Sequence, residues 1–200
     1  MAAQQLTGNG FTNVINLSGG IKAWTGQKAF DGEDHGMELF INLSNPVEVL
    51  RIAYSMEEGL QDFYVTMAPE AKSPKVRDIF NQLAAIEDLH KDRLFSEYSR
   101  ITGSHDRGDF EADLQKQLLE GGFTTKEYLQ RFGADLECID EVISMAMSIE
   151  GQALDLYSRS AQHTKNHENR EILEKIAEEE KKHLEKLGEL MDSISGENNG

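Results

Sequence analysis

Two short patterns in this 200-residue chain have the residue types and spacing to hold a metal: E-x-x-H at Glu87 and His90, and again at Glu180 and His183. Residues three apart lie on one face of a helix, so each glutamate–histidine pair can aim at a common centre. Shifting the chain by 93 positions lays the first pattern on the second, Glu57 on Glu150 and Tyr64 on Tyr157. Packing positions follow the same shift: Ala53 falls on Ala146, Leu83 on Ile176, Ala84 on Ala177 and Leu94 on Leu187. The halves read as copies of one helical hairpin, each presenting a glutamate and then E-x-x-H. Two such hairpins packed face to face bring six ligands together, and four carboxylates nearly cancel the charge of two divalent cations. Mixed carboxylate and imidazole ligation favours iron or manganese over calcium or magnesium, with zinc remaining open. Without metal the four carboxylates would repel one another and some would take up protons, so metal is expected to stabilise the fold.

Acidic helix faces are usually just solvated, and a lone E-x-x-H would mean little. Of the six histidines, however, only His90 and His183 have a glutamate three positions earlier, and these two are the pair related by the repeat. Their flanks are apolar: Leu83, Ile86 and Leu94 around the first, Ile176, Leu184 and Leu187 around the second. Glu150 closes the run V-I-S-M-A-M-S-I-E, where an unpartnered buried carboxylate would be costly. Tyr64 and Tyr157 lie two turns beyond Glu57 and Glu150; their hydroxyls either hydrogen-bond ligand carboxylates of the opposite hairpin or are core aromatics with a wet tip. Cys138 reads as a small core residue, and Glu58, Glu178 and Glu179 as surface.

The elements that must position these residues are long helices. The periodicity predicts a first over about 45–68, closed by Pro69, and a second from Ser73-Pro74 to about Ile101. Residues 103–133 hold five glycines and two short amphipathic pieces, around 109–120 and 124–132. A third helix is expected over 135–163 and a fourth over 166–194. Two helix pairs joined by one long crossover is the connectivity of a ferritin-like bundle, so the fold class is all-α, with the bundle domain over 44–195. Residues 1–40 differ in texture: glycine-rich, with a short strand pattern at Phe11 to Leu17, a helix start at Ile21 to Trp24, and a polar linker that we bound at 31–43.

A formal net charge of −16 repels nucleic acid and anionic membranes, so neither is expected as a partner. No apolar run approaches the roughly 20 residues that span a bilayer, and the N-terminus lacks a signal-sequence pattern, so a cytoplasmic setting is expected. One cysteine excludes an internal disulfide framework.

The motifs E-E-G-L-Q-D-F-Y, L-A-A-I-E-D-L-H, M-S-I-E-G-Q-A-L-D-L-Y and I-A-E-E-E-K-K-H make residues 44–193 resemble the rubrerythrin branch of the ferritin-like superfamily. The resemblance implies a di-iron centre that reduces peroxide or activates dioxygen. Glu87 and Glu180 would bridge the metals, Glu57 and Glu150 would be terminal carboxylates, and His90 and His183 terminal imidazoles. Two departures matter. Rubrerythrins carry a further carboxylate one turn after the third-helix glutamate, where this chain has Ala153. They also carry a four-cysteine rubredoxin domain that one cysteine cannot build, so an external electron donor, such as a rubredoxin-like protein, is expected.

The stretches A-A-Q-Q-L, G-F-T-N-V-I-N-L and S-G-G-I-K-A-W are similar to the last helix, strand and helix of a rhodanese domain, placing its C-terminal remnant at 1–30. The sulfur-carrying cysteine of that fold would lie upstream of Met1, so no sulfurtransferase activity is expected of this chain. Three functions compete. The first is a di-iron peroxidase or oxidase, the second a ferroxidase or iron-handling protein, and the third a metal-free helical adaptor. Dimers formed by helix packing are the default expectation.

Overall fold

Proline opens the first two long helices, and an asparagine side chain caps the first and the last. A computed structural model describes residues 36–40, 42–112, 114 and 135–197, for 195–197 the backbone alone. The rhodanese-like stretch, the first part of the linker and most of the segment between the hairpins lie outside these residues. Helix α1 (Pro46–Glu70) begins on Asn45, which is extended (φ −151°, ψ 159°) and accepts from the amides of Val47 and Glu48 at 3.0 and 3.2 Å. Proline follows at the first helical position, where a missing N–H costs nothing. The helix carries past the expected stop at Pro69 to Glu70, because a proline in the last turn removes only one hydrogen bond.

Helix α2 (Pro74–Thr102) follows a tight turn and ends at Gly103 in the left-handed region (φ 73°), where the glycine amide donates to Ser99 O at 2.8 Å. A short α3 (Arg107–Glu111) follows, capped by Asp106 and burying Phe110 completely. Helix α4 (Ile139–His163) starts four residues later than the apolar pattern predicts. Residues 135–138 form a turn instead, Asp135 Oδ1 accepting from Glu137 N at 3.0 Å and Asp135 O from Cys138 N at 2.9 Å. The Glu137 carboxylate accepts from the amides of Lys72 and Ser73 at 3.0–3.1 Å, holding the turn between α1 and α2. Helix α5 (His167–Glu197) is capped by Asn166, which accepts from Glu168 N and Asn169 N at 2.9 and 3.2 Å.

Helices α1 and α2 form one hairpin and α4 and α5 the other; the hairpins meet along α1–α5 and α2–α4. This is a four-helix bundle whose halves are joined by a long connection, and no strand forms among the described residues. The core divides into two apolar clusters. One holds Leu60, Phe63, Tyr64, Phe80, Ile143 and Leu187 among others, the second Tyr54, Phe110, Ala153, Tyr157 and Leu173 among others. Met37 and Phe40, from the stretch read as linker, belong to the second, Phe40 meeting Tyr157 edge-on at 5.6 Å. Along each long helix the glutamates and histidines of the repeat fall where one cluster gives way to the other.

Candidate metal centre

All six residues named from the repeat are buried, none more than 4% exposed. Glu57 comes from α1, Glu87 and His90 from α2, Glu150 from α4, and Glu180 and His183 from α5. The structure brings them into one polar layer. His90 Nδ1 lies 2.8 Å from Glu87 Oε2 and 3.3 Å from Glu57 Oε2, the latter aligned as a hydrogen bond and the former close but off-axis. On the other hairpin His183 Nδ1 lies 3.0 Å from Glu180 Oε2 and 3.8 Å from Glu150 Oε2. The two imidazoles stack across the hairpin boundary, centroids 3.5 Å apart and planes within 6°. Two sets offer ligand atoms within 4.8 Å of one another, Glu57 with Glu87 and His90, and His90 with Glu180 and His183. Both imidazoles thus turn Nδ1 toward carboxylates.

The electrostatics are those of a site short of positive charge. Burial, with the charges of Glu57 and Glu150, pushes Glu87 well above the ordinary carboxylate range, against the pull of His90. Burial alone would lower His90, but Glu57 and then Glu87 outweigh it and raise its pKa to about 10. Burial also opposes the Glu150 anion, yet its polar neighbours His183 and Glu180 and the charge of both histidines hold it below its usual value. Glu150 Oε2 has no hydrogen-bond partner although it is sealed from solvent. Four buried carboxylates against two imidazoles, with an orphaned oxygen among them, is a donor set that a pair of divalent cations fits.

The tyrosines Tyr64 and Tyr157 are both completely buried, and the Tyr157 hydroxyl donates to the Met56 sulfur at 3.6 Å. Ala153 is completely buried in the second apolar cluster, so no further carboxylate enters from that position. Cys138, half-buried, precedes the first residue of α4. Two side chains near the site escaped the sequence reading. Arg93, on α2, brings Nη1 within 3.5 Å of His183 Nε2; its place three residues after His90 was the available signal. Tyr54, one turn before Glu57, donates to Glu111 of α3, a pairing across 57 positions that no local pattern announces.

With this geometry in hand, comparison with known proteins is specific about family. The family model described as Rubrerythrin matches residues 48–191. No curated protein matches the chain. Among solved structures, a hypothetical protein from Pyrococcus furiosus is similar at 20% identity and TM-score 0.48, covering 81% of this chain and 97% of that one. A protein from Thermotoga maritima, described as a ferritin-like diiron-carboxylate protein, is similar at 22% identity and TM-score 0.42, covering 74% of this chain and 95% of that one. The stretch matched by the family model runs from the first turn of α1 almost to the end of α5 and contains all six buried ligand candidates, and the chain belongs to the rubrerythrin family.

Proposed function

We propose that this chain is a non-haem di-iron oxidoreductase that reduces hydrogen peroxide, or dioxygen, with electrons from an external donor. The observation that carries the reading is the set of four glutamates and two histidines, all buried and related by the internal repeat, five of which offer ligand atoms within 4.8 Å in two groups sharing His90, with Glu150 3.8 Å from His183. A ferrous pair supplies one electron per ion, enough to reduce one peroxide to two waters. Glu87 and Glu180, by the family resemblance, would hold both cations between them. Glu57 with His90, and Glu150 with His183, are the proposed terminal sets. The apolar clusters on either side exclude bulk water, which strengthens the attraction of the carboxylates for cations. His90, whose charge Glu57 and Glu87 favour, would have to give up its proton for Nδ1 to hold a cation.

The proposed donor lies outside these residues and is of rubredoxin-like type, since one cysteine cannot build a four-cysteine iron site. A cytoplasmic setting and a homodimer formed by helix packing complete the proposal. Residues 1–30 are proposed as a rhodanese-type remnant; they contain no cysteine, so no sulfur transfer is assigned to them. Stopped-flow oxidation of the ferrous protein tests the activity. Peroxide is expected to oxidise it faster than dioxygen does, with turnover when a reduced donor is added. Faster oxidation by dioxygen, with ferric mineral as product, would identify a ferroxidase instead.

A further inference from the structure

Tyr54 is buried, 2% exposed, yet its hydroxyl is not among the groups of the metal layer. It donates to Glu111 Oε1 on α3, and Glu111 is 38% exposed at the surface. The ring is packed edge-on against Phe110, centroids 5.1 Å apart at 90°, and the Lys91 ammonium stands 5.8 Å from its centroid. Tyr54 precedes Glu57 by three positions, so the two Cβ atoms share a helix face about 5–6 Å apart. Lys91 in turn follows His90 directly. The internal repeat does not call for a tyrosine here, because the matching position in the second hairpin is Met147. A phenol therefore sits between a buried ligand and a carboxylate open to solvent, its O–H already directed at a proton acceptor.

We propose that Tyr54 is a one-electron relay for the buried site, passing its hydroxyl proton to Glu111 as it gives up an electron. The inference rests on the di-iron reading. Burial first, and then the hydrogen bond and charge of Glu111, keep the phenol protonated across the neutral range, so electron loss has to take the proton along. The step balances: Tyr54–OH and the Glu111 carboxylate become a neutral phenoxyl radical and a protonated Glu111, and the electron goes to the oxidised iron pair. The first hydrogen peroxide spends its two oxidising equivalents on the ferrous pair; a second, with two protons, takes one electron from Tyr54 and one from the iron pair and leaves two waters. An external donor then returns the electron to the ring, and Glu111 returns the proton. Lys91 disfavours a build-up of positive charge on the ring, which favours a neutral radical over a cationic one.

The test is freeze-quench electron paramagnetic resonance on the full chain, loaded with Fe(II) and mixed with excess hydrogen peroxide without a donor. A phenoxyl signal is expected in the unaltered chain, absent from Tyr54→Phe and severalfold weaker in Glu111→Gln, with iron bound and oxidised in all three. Glu111→Gln, at the surface, keeps the test decisive should Tyr54→Phe fail to fold. Iron bound and oxidised without a phenoxyl signal, or a signal unaffected by both substitutions, overturns the relay and leaves the di-iron site standing. A folded chain that takes up no iron overturns both.

Discussion

In the metal-free chain Glu87 and His90 carry opposite burdens, 2.8 Å apart: burial resists the charge of one, and carboxylates hold the charge on the other. Glu87→Gln keeps the shape and removes the cost of protonating a carboxyl that burial keeps from ionising. The metal-free variant is therefore expected to melt about 2–4 °C higher, equivalent to about 1 kcal/mol, while zinc affinity falls by about 100-fold or more. Calorimetry and zinc titration measure the two effects, and a variant losing both stability and affinity would speak against the argument. His90 has its folded pKa raised to about 10, so its ion-pair contribution is complete below its unfolded value near 6.5 and is lost as pH rises through about 10. Metal entering at neutral pH must displace that proton. Binding enthalpy is accordingly expected to change with the ionisation enthalpy of the buffer; a buffer-independent enthalpy would contradict it. Glu97 has the reverse sign. A hydrogen bond from Arg100, then one from Lys175 at 2.5 Å, overcome burial and lower it to about 2. Its contribution is complete above the ordinary carboxylate value and is lost as pH falls through about 2. Glu97→Gln is expected to cost about 1 kcal/mol at pH 7 and to flatten acid unfolding between pH ~5 and ~2, measured by urea unfolding across that range.

At the scale of the elements, the four long helices and the facing of their glutamates were legible because both rest on local spacing. An i, i+3 pair and a 3.6-residue apolar stripe need no knowledge of the partner helix. What could not be read were pairings across long separations. Glu137 looks like one more acidic residue at a helix start, yet it caps the turn between α1 and α2, 64 to 65 positions away. Met37 and Phe40 look like the end of a polar linker, but their side chains reach the core beside Tyr157. Nor could spacing say that the two imidazoles stack, since that depends on how the hairpins meet. The Glu137 cap makes a prediction of its own. Glu137→Ala leaves two backbone amides without their acceptor and is expected to cost about 1–2 kcal/mol in urea unfolding, with metal affinity unchanged. A matching loss of metal would mean that the turn between α1 and α2 sets the site geometry.

For the whole molecule, the polar layer between two apolar clusters trades stability for a function that metal restores. Ligation removes the repulsion among the buried carboxylates, so metal is expected to act as a folding ligand as well as a cofactor. No described helix is long and apolar enough to cross a membrane, and the formal charge of −16 draws cations toward the surface. Melting temperature should rise with Fe(II), Mn(II) or Zn(II) and fall again with chelator. The most direct measurement is anaerobic Fe(II) binding at equilibrium, comparing the unaltered chain with Glu87→Ala plus Glu180→Ala. Two irons per chain with a raised melting temperature, both lost in the double variant although its helix content is kept, is the result this structure predicts. A folded, unaltered chain that binds no iron, or binds it equally well without Glu87 and Glu180, would contradict the assignment of the centre.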